Sequence, residues 1–156
     1  MGIARTLNVG LISDTHGLMR PEALEALRGC GHIVHGGDIG KPEVLEALRQ
    51  IAPVTAVRGN NDGAAWAEGI PETAVVEAGG ARLYVIHDLA QLPIDPAAAG
   101  CAAVISGHSH KPLVREEGGV LYVNPGSAGP RRFKLPISVG LLSIRRGKVT
   151  ARLIAL

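Results

Sequence analysis

The chain has 156 residues, 46% apolar but only 3% aromatic, with 16 basic and 14 acidic residues giving a formal net charge of +2. A chain this long buries about 70% of the surface its unfolded form exposes, so one domain, 1–156, needs neither disulfide nor partner to fold, and the apolar content excludes a disordered chain. Interspersed charge of both signs excludes a dedicated nucleic-acid surface, and no apolar run approaches the roughly 18 residues that a membrane-spanning helix needs.

The first residues, MGIART, match the myristoylation pattern M-G-x-x-x-[ST], which six residues meet easily by accident. LNVGLIS (Leu7–Ser13) then reads as a strand, PEALEALR (Pro21–Arg28) as a helix, HIVHG (His32–Gly36) as a strand, PEVLEALR (Pro42–Arg49) as a helix and VTAV (Val54–Val57) as a strand. Each helical octapeptide has Pro where the first turn tolerates it, Glu early, Arg late and leucine on one face. The strand runs are short, apolar and rich in β-branched residues, as strands buried on both faces are. After residue 70 the pattern changes. TAVVEAGGARLYVIH (Thr73–His87), LVREEGGVLYVN (Leu113–Asn124) and SVGLLSIRRGKVTARLIA (Ser138–Ala155) read as hairpins, with AAVIS (Ala102–Ser106) a further strand between the first two. The expected fold is α/β: two facing mixed sheets flanked by helices in a four-layer sandwich. Cys30 and Cys101 form no C-x-x-C pair and read as buried reduced thiols. With no signal-peptide pattern, the expected compartment is the cytoplasm.

The polar residues collect where the apolar runs end. The runs close in Asp14-Thr15-His16, Gly37-Asp38, Gly59-Asn60-Asn61-Asp62, His87-Asp88 and Gly107-His108-Ser109-His110. Carboxyl ends of strands in α/β sheets are where loops converge on a crevice. Asp, His and Asn together are a borderline-hard ligand set for Mn, Fe, Zn or Ni rather than for structural thiolate zinc. In D-x-H and H-x-H an extended chain sends residues i and i+2 to the same side, so each pair can face one crevice. A carboxylate can bridge two cations, which about 3.5–4 Å apart would share a hydroxide and hold both sides of an in-line displacement at phosphorus.

These five motifs in this order resemble the metallophosphoesterase (calcineurin-like phosphoesterase) superfamily, and most closely its small one-domain bacterial and archaeal phosphodiesterases. Asn124–Ser127 (NPGS) and Pro130-Arg131 extend the likeness. The resemblance implies one divalent ion, Mn²⁺ foremost, on Asp14, His16, Asp38 and His110. It implies a second on Asp38, Asn60, His87 and His108, with Asp38 bridging. Asp38, Asn60, Asn61 and His87 would form the catalytic group, with Asn61 and Arg131 facing the substrate, a small or nucleotide-like phosphodiester, and a metal-bridging hydroxide as nucleophile. Asp62 is expected to fix its loop or a ligand histidine from behind. Two departures stand out. Asn61 occupies a slot where the superfamily has a proton-giving histidine or a cysteine, and an amide is no acid at neutral pH. After His87 the family often continues Gly-His, whereas this chain reads Asp88-Leu89. The same fold also serves as a non-catalytic scaffold in a retromer subunit, and a metal- or nucleotide-sensing module is a third reading. All seven implied ligands are intact, which favours the enzyme, because a scaffold has no physical need of them.

Outside the motifs, His32 and His35 read as structural histidines, Arg58 as a salt-bridge partner, and Trp66 and Tyr84 as packing residues. The hairpin edges leave strands open to pairing between copies of the chain.

Overall fold

In the computed structural model, which describes residues 5–132 and 134–156, ten strands and two helices follow the expected order. The myristoylation pattern begins outside the described residues. The strands are β1 (Leu7–Ile12), β2 (His32–His35), β3 (Val54–Ala56), β4 (Thr73–Ala78), β5 (Ala81–Ile86), β6 (Ala103–Ile105), β7 (Leu113–Glu117), β8 (Val120–Asn124), β9 (Ser138–Arg145) and β10 (Lys148–Ala155). The helices are α1 (Pro21–Leu27) and α2 (Pro42–Arg49).

One sheet runs β10-β9-β1-β2-β3 and the other β4-β5-β6-β8-β7. Each mixes parallel and antiparallel pairing: β1–β2–β3 and β5–β6–β8 are parallel, and the strands outside them are joined antiparallel. The two mixed sheets expected from the sequence are therefore both present.

Side-chain alternation explains why they stack. Val9 and Leu11 of β1, Val34 of β2, Leu83 and Val85 of β5, and Ile105 of β6 share one buried cluster between the sheets. Their neighbours Ile12 and Ile33 point the other way, against Leu27 of α1 and Leu45 and Leu48 of α2. Each such buried leucine or isoleucine contributes about 1.5–3 kcal/mol. Gly10 lets α1 approach β1 closely, since a Cβ there would stand 2.8 Å from a methyl of Leu27. On the far sheet, Tyr84, Ile86 and Val104 are covered by Leu89, Leu92 and Ile94, which belong to a short 3-10 turn and irregular chain rather than to a helix. The fourth layer is thus made of loop. That segment carries Pro93 and Pro96, and prolines remove the amide donors a helix interior needs.

The packing residues fall as expected. His32 Nε2 lies 2.8 Å from Thr55 Oγ1, Arg58 pairs with Glu72 at 3.3 Å, Tyr84 is buried and Trp66 packs beside the helices.

Candidate metal centre

The parallel arrangement of β1, β2 and β3, and of β5 and β6, brings the loops after those strands to one end of the sandwich. The loop after β1 is laced to the loop after β2 by backbone bonds: Asp14 N–H donates to the Gly37 carbonyl (2.9 Å), His16 N–H to Asp38 (2.9 Å) and Gly17 N–H to Ile39 (2.7 Å). Gly107 N–H donates to the His87 carbonyl at 3.0 Å, joining the loops after β5 and β6.

These loops gather two overlapping groups of metal-capable side chains, Asp14–His16–His110 and Asp14–Asp38–His87. Asp14, Asp38, His87 and His110 are buried, and His16 is half-buried. Asp14 Oδ1 lies 3.4 Å from His110 Nε2 and 4.0 Å from His87 Nε2. Asp38 Oδ2 lies 3.3 Å from His87 Nε2 and 3.8 Å from His16 Nε2. Two donors that share one ion at about 2.1 Å each stand between about 3 and 4 Å apart, so this spacing suits ligands. Both carboxylates face two histidines, and Asp14 is common to both groups. His108 lies outside the two groups. Asn60 and His108 are both exposed, and they line a groove of about 550 Å³ together with His87, Asp88, Gln91, Arg58 and Glu72. The His108 ring meets His87 edge-on with centroids 5.2 Å apart, and its Nε2 lies 3.9 Å from Asp88.

Whether cations fit here can be tested on the polar atoms themselves. Asp14 Oδ1, His16 Nε2 and His87 Nε2 are buried and lack a hydrogen-bond partner. Such atoms ordinarily cost about 1–3 kcal/mol each. His87 donates its other nitrogen, Nδ1, to the Gly36 carbonyl at 2.7 Å, which turns Nε2 towards Asp38 Oδ2, 3.3 Å away. That arrangement, one ring nitrogen fixed on a carbonyl and the other free, is how ligand histidines are held. The donor set and its orphaned atoms fit divalent ions.

The electrostatics point the same way. Burial raises the Asp14 carboxyl above its ordinary range, against the Ser13 hydroxyl and the charges of His87 and His110. Burial acts on Asp38 too, but the adjacent His87 ring, the hydrogen bond from Asn61 N–H and the charges of His87 and His16 outweigh it and hold Asp38 at about 2. His87 is correspondingly raised: burial opposes, and Asp38 and the Gly36 carbonyl prevail. Burial lowers His110; Asp14 opposes this and the charge of Arg132 adds to it. Without a cation, then, the Asp38–His87 pair is comfortably charged, and Asp14 and His110 are pushed towards their neutral forms.

The backbone differs from the sequence expectation. Asp14 (φ 54°), His16 (46°), Asp38 (56°), His108 (70°) and His110 (61°) all adopt left-handed conformations. Residues i and i+2 share a side only where the chain is extended, and here it turns sharply at both members of each pair. The side chains converge because the turns aim them, not because a strand alternates. Asp62 does fix its loop: its carboxylate accepts from Ile39 N–H (3.0 Å), Gly40 N–H (3.1 Å) and Gly59 N–H (3.0 Å). Arg131 is exposed, beyond the turn at Asn124–Ser127.

Several supporting contacts could not be read from the motifs. His35 is fully buried: Gly37 N–H donates to its Nδ1 (3.0 Å), so its Nε2 donates to Thr15 Oγ1 (3.0 Å), which donates to the Ile39 carbonyl (2.9 Å). That relay ties the two ligand loops together under the site. Asn124 donates to the Gly107 carbonyl (3.0 Å) and Ser109 Oγ (3.1 Å), while Ser127 Oγ donates to the Asp14 carbonyl (3.1 Å). The NPGS segment thus braces both histidine-bearing loops. Its NPGS sequence, closing β8, was the available signal.

Residues 7–147 match the calcineurin-like phosphoesterase superfamily domain. A probable metallophosphoesterase of Methanothermobacter thermautotrophicus is 36% identical over 158 residues, covering 94% of this chain and 91% of that protein. Among solved structures, a novel archaeal phosphodiesterase superposes with a TM-score of 0.78 at 22% identity, over 95% of this chain and 100% of that one. Vacuolar protein sorting 29 from Cryptosporidium parvum superposes with a TM-score of 0.76 at 23% identity, over 97% and 98% of the respective chains. On its sequence match, and with a donor set arranged as described, the chain belongs to the calcineurin-like phosphoesterase superfamily.

Proposed function

We propose that the chain is a dinuclear-metal phosphodiesterase acting on small or nucleotide-like phosphodiesters as a single cytoplasmic domain. The observation that carries this reading is that Asp14 Oδ1, His16 Nε2 and His87 Nε2, buried and without hydrogen-bond partners, gather beside the Asp38 carboxylate. Asp14, His16, Asp38 and His110 would hold one ion, and Asp38, Asn60, His87 and His108 the other, with Mn²⁺ the first choice. Bound divalent ions supply an acidified water and neutralise charge at the phosphoryl oxygens.

The chain's own residues do the rest. Asp38 stays ionised across the neutral range, held at about 2. His87, fixed by the Gly36 carbonyl, presents Nε2 from a set direction. The groove beyond Asn60 and His108 receives the part of the substrate that departs, and its lining of Arg58, Glu72, Asp88 and Gln91 favours a polar group. Arg131, a planar two-pronged donor, would contact the phosphate. Asn61 has no proton to give, so substrates with good leaving groups should be turned over best.

A second reading, in which the fold is a scaffold for other proteins or a sensor, has a specific observation behind it. Asn61 brings no acid and Asp88 follows His87, and the likeness to vacuolar protein sorting 29 supports the scaffold. Hydrolysis of bis(p-nitrophenyl) phosphate, with Mn²⁺ added and with chelator as control, separates the readings. Mn²⁺-dependent release of p-nitrophenol is expected. No release with two ions bound would put the scaffold first.

A further inference from the structure

Asn61 supplies no acid, yet its side chain is engaged. Its backbone N–H donates to Asp38 Oδ1 at 2.9 Å, and its side-chain Nδ2 donates to Asp38 Oδ2 at 3.2 Å. One residue therefore grips both oxygens of the carboxylate that faces His16 and His87. Its neighbours lock the grip. Asp62 bonds back to Ile39 and Gly40, so the two loops exchange hydrogen bonds in both directions. Gly59 lies so close that a Cβ there would overlap Asp38 Oδ1 and its backbone nitrogen.

A count of lone pairs gives this meaning. An ionised carboxylate has about four acceptor sites, two on each oxygen. Asn61 takes one on each and leaves one on each, so both oxygens keep a lone pair that a cation could use. A freely rotating carboxylate would have to be oriented at the moment of binding, whereas this one is already turned.

We propose that Asn61 is a positioning residue that pre-orients Asp38 for cations, rather than a contact to the substrate. The inference rests on the metal-centre reading above. It explains why an amide can stand in place of an acid, since the chain keeps the geometry of the centre while giving up proton donation.

Two measurements on the full chain test it, using Asn61→Ala, which keeps the backbone N–H and removes only the Nδ2 bond. The ion-free variant loses one hydrogen bond to a buried carboxylate and should still unfold in a single cooperative step a few degrees at most below wild type, which checks its fold. Titration calorimetry with Mn²⁺ should show binding weakened about 10–100-fold, as when a residue supporting a ligand is lost. Hydrolysis of aryl phosphodiesters with leaving groups of rising pKa should fall by one constant factor across the series. If wild type and variant bind Mn²⁺ equally, and the loss of rate grows with leaving-group pKa, Asn61 acts on the substrate and the inference is wrong while the metal centre stands. If the wild type binds no Mn²⁺, the metal-centre reading fails and takes this inference with it.

Discussion

Two regions use left-handed backbone differently. The hairpin turns place it on Gly79, Gly80, Gly118, Gly119 and Gly147, alongside Arg146; the loops after β1, β2 and β6 place it on Asp14, His16, Asp38, His108 and His110 as well as on Gly17, Gly37 and Gly40. Glycine takes this conformation at no steric cost, whereas a residue with a Cβ gives up roughly 1–2 kcal/mol. The hairpins are therefore built from residues suited to their turns, and the site from residues suited to something else. Its strain is joined by buried donors without partners, a second cost in the same place. A fold that concentrates both on one cluster of carboxylates and imidazoles is stabilised elsewhere, in the clusters between and outside the sheets.

If that contrast is functional, changes at the two places should differ in kind. Asp38→Asn should have the largest effect. It leaves an amide facing His16 and His87 where a charge is needed, and Mn²⁺-dependent hydrolysis should drop below detection; retained turnover would separate Asp38 from the chemistry. Next comes the relay that braces the strained loops. Burial lowers the His35 pKa to about 4 from the 6.5 of an exposed histidine, with Asp62 opposing. The unfolded chain therefore takes up this proton first. Its contribution is full above about pH 6.5 and is lost as pH falls from there to about 4, by about 3 kcal/mol. Urea unfolding in chelator at both ends of that window should show a shallower pH dependence in His35→Gln than in wild type.

Two glycines then contrast directly. A Cβ at Gly107 would collide with Ser13 Oγ and stand 2.7 Å from Asp14 Oδ2, while one at Gly118 meets nothing within 4 Å. Gly107→Ala should cost about 2 kcal/mol and weaken Mn²⁺ binding. Gly118→Ala, where only the positive φ is strained, should cost about 1 kcal/mol and leave binding unchanged. The smallest effect has the opposite sign. Burial disfavours the Asp14 charge, so Asp14→Asn should stabilise the ion-free protein by about 1 kcal/mol in thermal or urea unfolding while removing an ion. A destabilised Asp14→Asn would mean that the carboxylate serves the fold.

Much of this architecture was legible because it follows from periodicity and local chemistry. The octapeptide at Pro42–Arg49 is helical over the range its leucine spacing predicts, and the Gly-Gly and Arg-Gly-Lys turns fall where the hairpins reverse. The candidate site was legible as a set of residues, since each motif closes a strand. Its geometry was not. No local rule sends Asp14 and His110 left-handed, because that conformation is imposed by bonds from distant loops, such as Asp14 N–H to Gly37 and Ser127 Oγ to Asp14. The His35–Thr15–Ile39 relay was hidden for the same reason: it joins residues 20 and 24 positions apart. Over the second sheet, a loop stands where sandwich folds suggest a helical layer, and its prolines are the local reason.

Whether the strained cluster is a dinuclear metal centre comes down to how many ions it holds. Purified chain, stripped with chelator and titrated with Mn²⁺ in a calorimeter, should take up two ions per chain. Uptake should fall in both Asp14→Asn and Asp38→Asn. No uptake by the wild type, or uptake that neither substitution reduces, would contradict the dinuclear centre, and the strain at Asp14, His16, Asp38, His108 and His110 would need another cause.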